Sequence, residues 1–447
     1  MAPAPAEIHL PRATMRAVLG RSRFSLLVLG QTVSQLGDKL QHMALIALVG
    51  AAAAQGTGGL ELAKLSVVFT APVVLFGPLA GALVDRWNRR ITMIVCDALR
   101  ALLVATIPFV YHSSGHLWAV YVVSFLVFLL GTFFNAAKMS LIPDLVPRHE
   151  LLPANAVMTF VGRVATVVGI VGGGVIIGSS VWSRLGWTNY AAGFYLDAMS
   201  YVVSVLCLIG IVVVMWRGHE HEHVVAVAPA PEAMKGSIRG LMRNVHTTVR
   251  LALQTPGLRF VFGSLVLLAL FASTVYVVMT VSVQTLMGRG TAGVGYLGGL
   301  LAGGMVVGSF LVGSLGHRWR REQLIGWGIA TIGLLMILAG AFFSFRVFAP
   351  VAFIGGALLA PVMVAQDTML HEFSPAGSRG VVFSTKDLVV AAVFACAAFV
   401  VGGGVYLLNR VGVREPYRLA LVLVGGTISL AAVAGQFAGQ RRRATAE

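Results

Sequence analysis

Gly81-Ala82-Leu83-Val84-Asp85-Arg86-Trp87-Asn88-Arg89-Arg90 places a short charged turn between two apolar stretches, 63–84 and 91–111. A helix needs about 20 mostly apolar residues to cross a bilayer, and both stretches meet that length. The turn recurs. His317-Arg318-Trp319-Arg320-Arg321-Glu322 follows the apolar run 291–316, displaced by 232 positions. Gly172-Gly173-Gly174 recurs as Gly402-Gly403-Gly404, displaced by 230. Asn135 aligns with Gln366, and Arg148 with Arg379, both at 231. A shared displacement of this kind marks an internal duplication.

Working outward from these turns, twelve apolar runs are expected as membrane-spanning helices. They lie at 24–53, 63–84, 91–111, 117–137, 155–179, 190–216, 258–287, 291–316, 323–343, 347–370, 380–408 and 417–438. The reading predicts an all-α polytopic membrane protein. A first six-helix half covers 24–216 and a second covers 258–438. Segment 1–23, the link 217–257 and the tail 439–447 would face the cytoplasm. The repeat places the halves about an axis normal to the membrane.

Composition agrees. Of 447 residues, 57% are hydrophobic and 11% charged, against about 25% charged in a soluble domain. Mean hydropathy is +0.86. An ordinary cytosolic enzyme, a disordered chain and a disulfide-rich module are excluded. The three cysteines, Cys96, Cys207 and Cys396, sit singly in apolar runs and read as core residues. The first 23 residues are polar, so no removable signal peptide is expected.

The net charge of +16 would suggest nucleic acid in a soluble protein. Its distribution says otherwise. With the N-terminus inside, inside segments hold 23 Lys and Arg and outside loops seven. That bias predicts cytoplasmic termini and leaves nucleic acid unnecessary. Arg410, Arg414 and Arg418 run against it. In the link, Ile238, Leu241, Met242, Val245 and Val249 fit either a surface amphipathic helix or a solvated linker. His219-Glu220-His221-Glu222-His223 reads as a flexible polar loop before a metal site.

The turn at 81–90 resembles the signature loop of the major facilitator superfamily, Gly-x-x-x-Asp-Arg/Lys-x-Gly-Arg-Arg/Lys. The resemblance covers nearly the whole chain. It implies that Gly81, Asp85, Arg86, Asn88, Arg89 and Arg90 form a gating loop that latches the halves. Asn88 stands where the family has Gly, so a positive φ is expected there. In the second copy, His317 stands where the acid would be, beside Arg318. Gln31-Thr32-Val33-Ser34-Gln35-Leu36-Gly37-Asp38, Cys96-Asp97-Ala98-Leu99-Arg100-Ala101 and Leu141-Ile142-Pro143-Asp144-Leu145-Val146-Pro147 with Leu152-Pro153-Ala154-Asn155-Ala156 resemble the drug–proton antiporter branch of macrolide and siderophore exporters. Ala136-Ala137-Lys138 and Gly37-Asp38 also resemble lysophospholipid transporters. The antiporter Gly-Pro of the fifth helix is missing from Gly169–Gly174.

Charges inside the bilayer cost about 3 kcal/mol each and are functional candidates. Gln31, Ser34, Gln35, Asp38, Gln41 and His42 recur every three or four residues, so they form one helix stripe. Asp38 would lie roughly 20 Å from the inner end. It is the candidate proton carrier, or else it pairs with Lys39 or Arg163. Gln31, Ser34, Gln35 and Arg163, with Tyr276, Met279, Tyr296, Met363 and Gln366, are candidates for a substrate cavity; each also fits ordinary packing. Asp97 and Arg100 are expected as a local pair near the inner surface, and Asp197 near the outer face. Asp367, Lys386 and Asp387 read as latch partners.

These readings converge on proton-coupled efflux of hydrophobic or amphipathic small molecules from the bacterial plasma membrane. A lysophospholipid or other lipid transporter is the alternative. The partners expected are the bilayer, protons and the substrate, with a monomeric chain. No cofactor beyond the proton gradient and no metal is expected. No HExxH or Gly-x-Ser-x-Gly occurs in the spans, so an enzyme is not expected.

Overall fold

The computed structural model describes residues 15–53, 56–84, 86–184, 186–217, 250, 254–315, 320–374 and 379–444. Asp85, His317 and Arg318 lie outside the described residues, as do Trp319, the His219–His223 run and the apolar positions of the link.

Twelve long helices are numbered here in chain order. They are α1 (Ser22–Ala52), α2 (Gly58–Val84), α3 (Arg89–Ser114), α4 (Leu117–Leu145), α5 (Leu151–Gly178) and α6 (Asn189–Arg217). Then come α7 (Pro256–Leu286), α8 (Gly290–Leu315), α9 (Arg321–Ala341), α10 (Phe345–Phe373), α11 (Arg379–Arg410) and α12 (Pro416–Ala444). Eleven of them are long and apolar enough to cross a membrane, among the described residues. The remaining long helix is α1, whose apolar character is diluted by its polar stripe. An even number of antiparallel crossings returns the chain to its starting face.

Local chemistry sets the ends. Asn88 is extended at φ −71° and its Oδ1 accepts from the backbone N–H groups of Arg90 and Ile91 at 3.1 and 3.3 Å. It is therefore the N-cap of α3, and the expected positive φ is not there. Gly115 ends α3 in the left-handed region at φ 65°, which a side chain would disfavour. Pro256 opens α7 at the first-turn position that needs no N–H. Further along, α7 passes through two π-helical turns, Val275–Met279 and Ser282–Leu286.

Helix neighbours repeat between the halves. In the first half α1 packs on α5 and α6, α3 on α4 and α6, and α2 on α4. In the second, α7 packs on α11 and α12, α9 on α10 and α12, and α8 on α10. The halves meet through α2 with α11 and α5 with α8, a pair of contacts that exchange under the same repeat.

The close approaches between halves lie at the end remote from the termini. A Cβ at Gly174 would sit 2.6 Å from the Gly295 Cα, and one at Gly402 would sit 2.6 Å from the Gly59 carbonyl oxygen. Backbones touch there because no side chain intervenes. Gln284 Nε2 donates to the Ile46 carbonyl at 3.1 Å, tying α7 to α1. At the terminal end, among the described residues, Arg89, Arg321 and Lys386 each pair within their own half. Arg89 pairs with Asp144 at 2.9 Å, and Arg321 with Glu372. Lys386 pairs with Asp367 at 2.7 Å, joining α11 to α10. The close contacts between the halves thus gather at the end remote from the termini.

Arg21 grips Glu150 with two bonds, Nε to Oε2 at 2.6 Å and Nη2 to Oε1 at 3.1 Å. This couples the start of α1 to the start of α5. Those hydrogen bonds hold the Glu150 carboxyl below its ordinary range. A depressed acid stabilises the fold above its unfolded pKa of about 4.3 and loses that contribution as pH falls through the folded value. Glu150→Gln should therefore lower the melting temperature at neutral pH and flatten its decline on acidification. Gly295→Leu should destabilise by about 1–3 kcal/mol through overpacking, read as detergent-solubilised melting; an unchanged curve would contradict the backbone contact.

Candidate functional site

Side chains from three helices converge at mid-bundle in the first half. Asp38 comes from the middle of α1. Asp97 and Arg100 stand three apart on one face of α3. Asp197, Ser200, Tyr201 and Ser204 recur at three- and four-residue steps on α6. Arg100 Nη2 donates to Asp38 Oδ1 at 2.7 Å, and Nη1 donates to Asp97 Oδ1 at 3.2 Å. The Tyr201 hydroxyl donates to the same Asp38 oxygen. The guanidinium also lies over the Tyr201 ring, 4.1 Å from its centroid.

Small residues make room for this. At Gly37, α1 presents bare backbone to Asp197 and Ser200 of α6, and at Gly30 to Ser204 and Cys207. At Gly131, α4 packs against the guanidinium. Alternating glycine on α1 with polar residues on α6 is thus a single design: the helices approach closely and the polar side chains fill the gap.

Burial is uneven. Side chains of Arg100 and Asp97 are 6% and 0% exposed, whereas Asp38 is 33% exposed. Asp38 is the one carboxylate of this cluster reachable from outside it. Lys138 on α4 stands within electrostatic reach of Asp38 and Arg100, and its Nζ donates to Asn135 at 2.8 Å.

Above this cluster, toward the end remote from the termini, rings from both halves meet. His42 of α1 is 4.9 Å from Phe69 of α2 and 5.9 Å from Tyr276 of α7. Phe69 also meets Tyr276 at 5.8 Å and Phe128 of α4 at 5.6 Å. Tyr276 continues to Phe394 of α11 at 5.8 Å. Asp38 and His42 are one turn apart on α1, so the charged cluster and the aromatic seam share a helix.

Several expectations change. Asp38 pairs with Arg100, not with Arg163 or Lys39. Arg163 is exposed on α5, and Lys39 lays its stem against Gly169 of that helix. Asp97 and Arg100 do pair, but at depth: Arg100 is eleven residues into α3, roughly 17 Å. Asp197 is fully buried in the same cluster, not at the outer face. Gln31 and Ser34 are each 2% exposed and Gln35 rests on Gly162 of α5, so most of the α1 stripe is consumed by packing. Gln366 is also buried, its Nε2 donating to Ser264 Oγ at 2.7 Å between α10 and α7. Tyr296 lies beside Phe345 near the end remote from the termini. Tyr276 stands at the junction of the halves, with Met279 half-buried in the same π-helical turn and Met363 exposed on α10. In the turn, Gly81 closes no contact within 4 Å, Arg86 is exposed, and Arg89 is held within the first half. Arg100, Tyr201 and Asp197 were not singled out from sequence as site residues. The polar spacing on α6 opposite the α1 glycines is the signal that finds them.

Removing Arg100 leaves two carboxylates without their cation. Arg100→Leu should cost about 3–5 kcal/mol of stability. Adding Asp38→Asn should recover part of that loss, measured as melting of the purified variants. An additive double variant would contradict the pairing.

A family model described as Major Facilitator Superfamily matches residues 27–385. MFS-type transporter YfiS of Bacillus subtilis is 31% identical over 173 residues, 39% of this chain and 40% of that protein. A Mycobacterium tuberculosis MFS-type transporter, Rv0037c, is 26% identical over 36% of each chain. The chain thus matches about two fifths or less of the length of these two relatives. Sinorhizobium fredii y4rN, also an MFS-type transporter, is 27% identical over 92% of this chain and 93% of its own. Among solved structures, a bacterial homolog of the human lysosomal transporter Spinster, inward-facing and unoccupied, superposes with TM-score 0.68 at 14% identity, covering 94% of this chain and 96% of that one. A bacterial homologue of ferroportin, inward-facing, gives TM-score 0.66 at 14% identity, covering 92% and 98%. At such identities these structures speak to fold alone. With twelve long helices among the described residues, arranged in two repeating halves, and a family match across most of its length, this chain is a multi-pass membrane protein that belongs to the major facilitator superfamily.

Proposed function

We propose that this transporter couples proton movement to the export of hydrophobic or amphipathic small molecules across the bacterial plasma membrane. Both termini face the cytoplasm in this reading, supported by the 23-to-seven distribution of basic residues. The cleft of this conformation then opens inward.

The observation that carries the reading is the position of Asp38. It is partly exposed, yet it anchors α1 to α3 and α6 through Arg100 and Tyr201. A proton on Asp38 cancels the charge that holds Arg100. The guanidinium keeps Asp97, and α1 loosens from α3. The same helix carries His42 into the aromatic seam and Ile46 into its bond with Gln284, both contacts with α7 of the other half. Protonation at one residue thereby biases the contacts that hold the far end shut, which is how a ligand shifts a two-state equilibrium. The apolar surroundings, with Tyr276, Met279 and Met363 from the second half, suit a hydrophobic cargo. Arg163, exposed on α5, lines that flank of the cleft in this account.

In proteoliposomes, wild-type protein should accumulate a lipophilic dye against its gradient when a proton gradient is imposed, and an uncoupler should abolish this. Asp38→Asn should remove the gradient-driven accumulation and leave downhill exchange. Gradient-dependent accumulation by Asp38→Asn would remove the coupling assignment. Uptake of a lysophospholipid indifferent to the gradient would move the assignment to lipid transport.

A further inference from the structure

Asp197 is the buried carboxyl that the account above leaves unused. It lies on α6, fully enclosed, at the point where Gly37 of α1 crosses. Its Oδ1 accepts from the Ser200 hydroxyl at 3.1 Å, one turn along its own helix. Its Oδ2 is buried with no hydrogen-bond partner among the described residues.

The charged and titratable groups around it are few. Asp38 approaches from α1, Asp97 and Arg100 from α3, and Tyr201 from α6 itself. Arg100 is the cation among them; its Nη2 and Nη1 are committed to Asp38 and Asp97, and its Nε is buried with no hydrogen-bond partner among the described residues. Lys138 reaches Asp38, Asp97 and Arg100. On α5, which also packs on α6, the one charged residue is Arg163, which is exposed. Three carboxyls therefore share one guanidinium, and the one with no donor from a cation is also fully buried.

An ionised carboxylate in that position would be enclosed without a counter-charge, beside two others. Such a group takes up a proton instead. The proton also supplies what Oδ2 lacks: the oxygen becomes a hydroxyl and no longer has to accept from a cation.

We propose that Asp197 carries a proton in this conformation and makes, with Asp38, a two-carboxyl proton site shared by α6 and α1. Arg100 arbitrates between the two. While Asp38 is ionised it holds the guanidinium and Asp197 stays neutral. When Asp38 takes a proton the guanidinium is freed from it, and Asp197 can then give up its own proton and accept a bond from Arg100. One proton arrives and one leaves, so the charge of the cluster is unchanged. The use of this exchange in transport rests on the coupling role given to Asp38. The resident proton does not.

Infrared difference spectroscopy on the full-length protein in lipid tests this directly. At neutral pH a carbonyl band of a protonated carboxyl, shifted in deuterated water, should be present. Asp197→Asn should lose that band and Asp97→Asn should keep it, while Asp38→Asn, which frees the guanidinium, should weaken it. Asp197→Ser provides the same comparison if the amide variant does not fold. A wild-type spectrum without the band, or a band undiminished in both Asp197 variants, overturns the proposal. An Asp197 band in a protein whose Asp38→Asn variant still accumulates dye on a proton gradient would leave the resident proton standing and remove only its role in transport.

Discussion

Arg100 is a positive charge enclosed between α1, α3, α4 and α6, and a buried guanidinium must be answered by carboxylates or leave the membrane interior. The rest of the first half follows from how it is answered. Glycines at 30 and 37 on α1 and at 131 on α4 bring backbone close enough for short polar side chains to reach it. Asp97 supplies a pair from its own helix. Asp38 supplies one from α1, and Tyr201 adds both a ring face and a hydroxyl. Each element of the cluster is therefore needed to make the others tolerable. A change of charge at any one is felt across three helices.

The second half is organised differently. Its helices are joined at depth by neutral bonds: Gln366 to Ser264, and Ser429 Oγ to the Ala330 carbonyl at 2.8 Å. Its charged pairs among the described residues, Lys386 with Asp367, Arg321 with Glu372 and Arg418 with Glu415, are partly exposed. Neutral bonds do not respond to a single proton. The duplication thus conserves helix packing while the chemistry sits on one side.

Much of the fold was legible in the sequence because membrane helices announce themselves by length. The twelve expected runs match the observed helices to within a few residues at most ends. The largest miss is α4, which continues to Leu145 beyond the expected end at 137. Lys138 donates to Asn135 one turn back along this continuing helix. The site was legible only in part. Asp38 stood out because it lies in mid-span. Its partner did not, because Asp97 and Arg100 satisfy each other locally and look self-contained. Which face of α3 meets α1 is a property of packing, and the glycines that set it were read for closeness, not for what they face. Asn88 shows the same limit: its residue type fitted both a positive-φ turn and a helix cap, and only the backbone distinguishes them.

The central claim is that the charge on Asp38 biases the opening of the cleft. Pulsed electron spin resonance can read this without a substrate. Spin labels at Arg86 and Arg320, in a background lacking Cys96, Cys207 and Cys396, would report the separation of the halves at the terminal end. The account predicts a distance distribution that shifts with pH in the otherwise wild-type chain and is fixed in Asp38→Asn. The same pH-dependent shift in both proteins would contradict it.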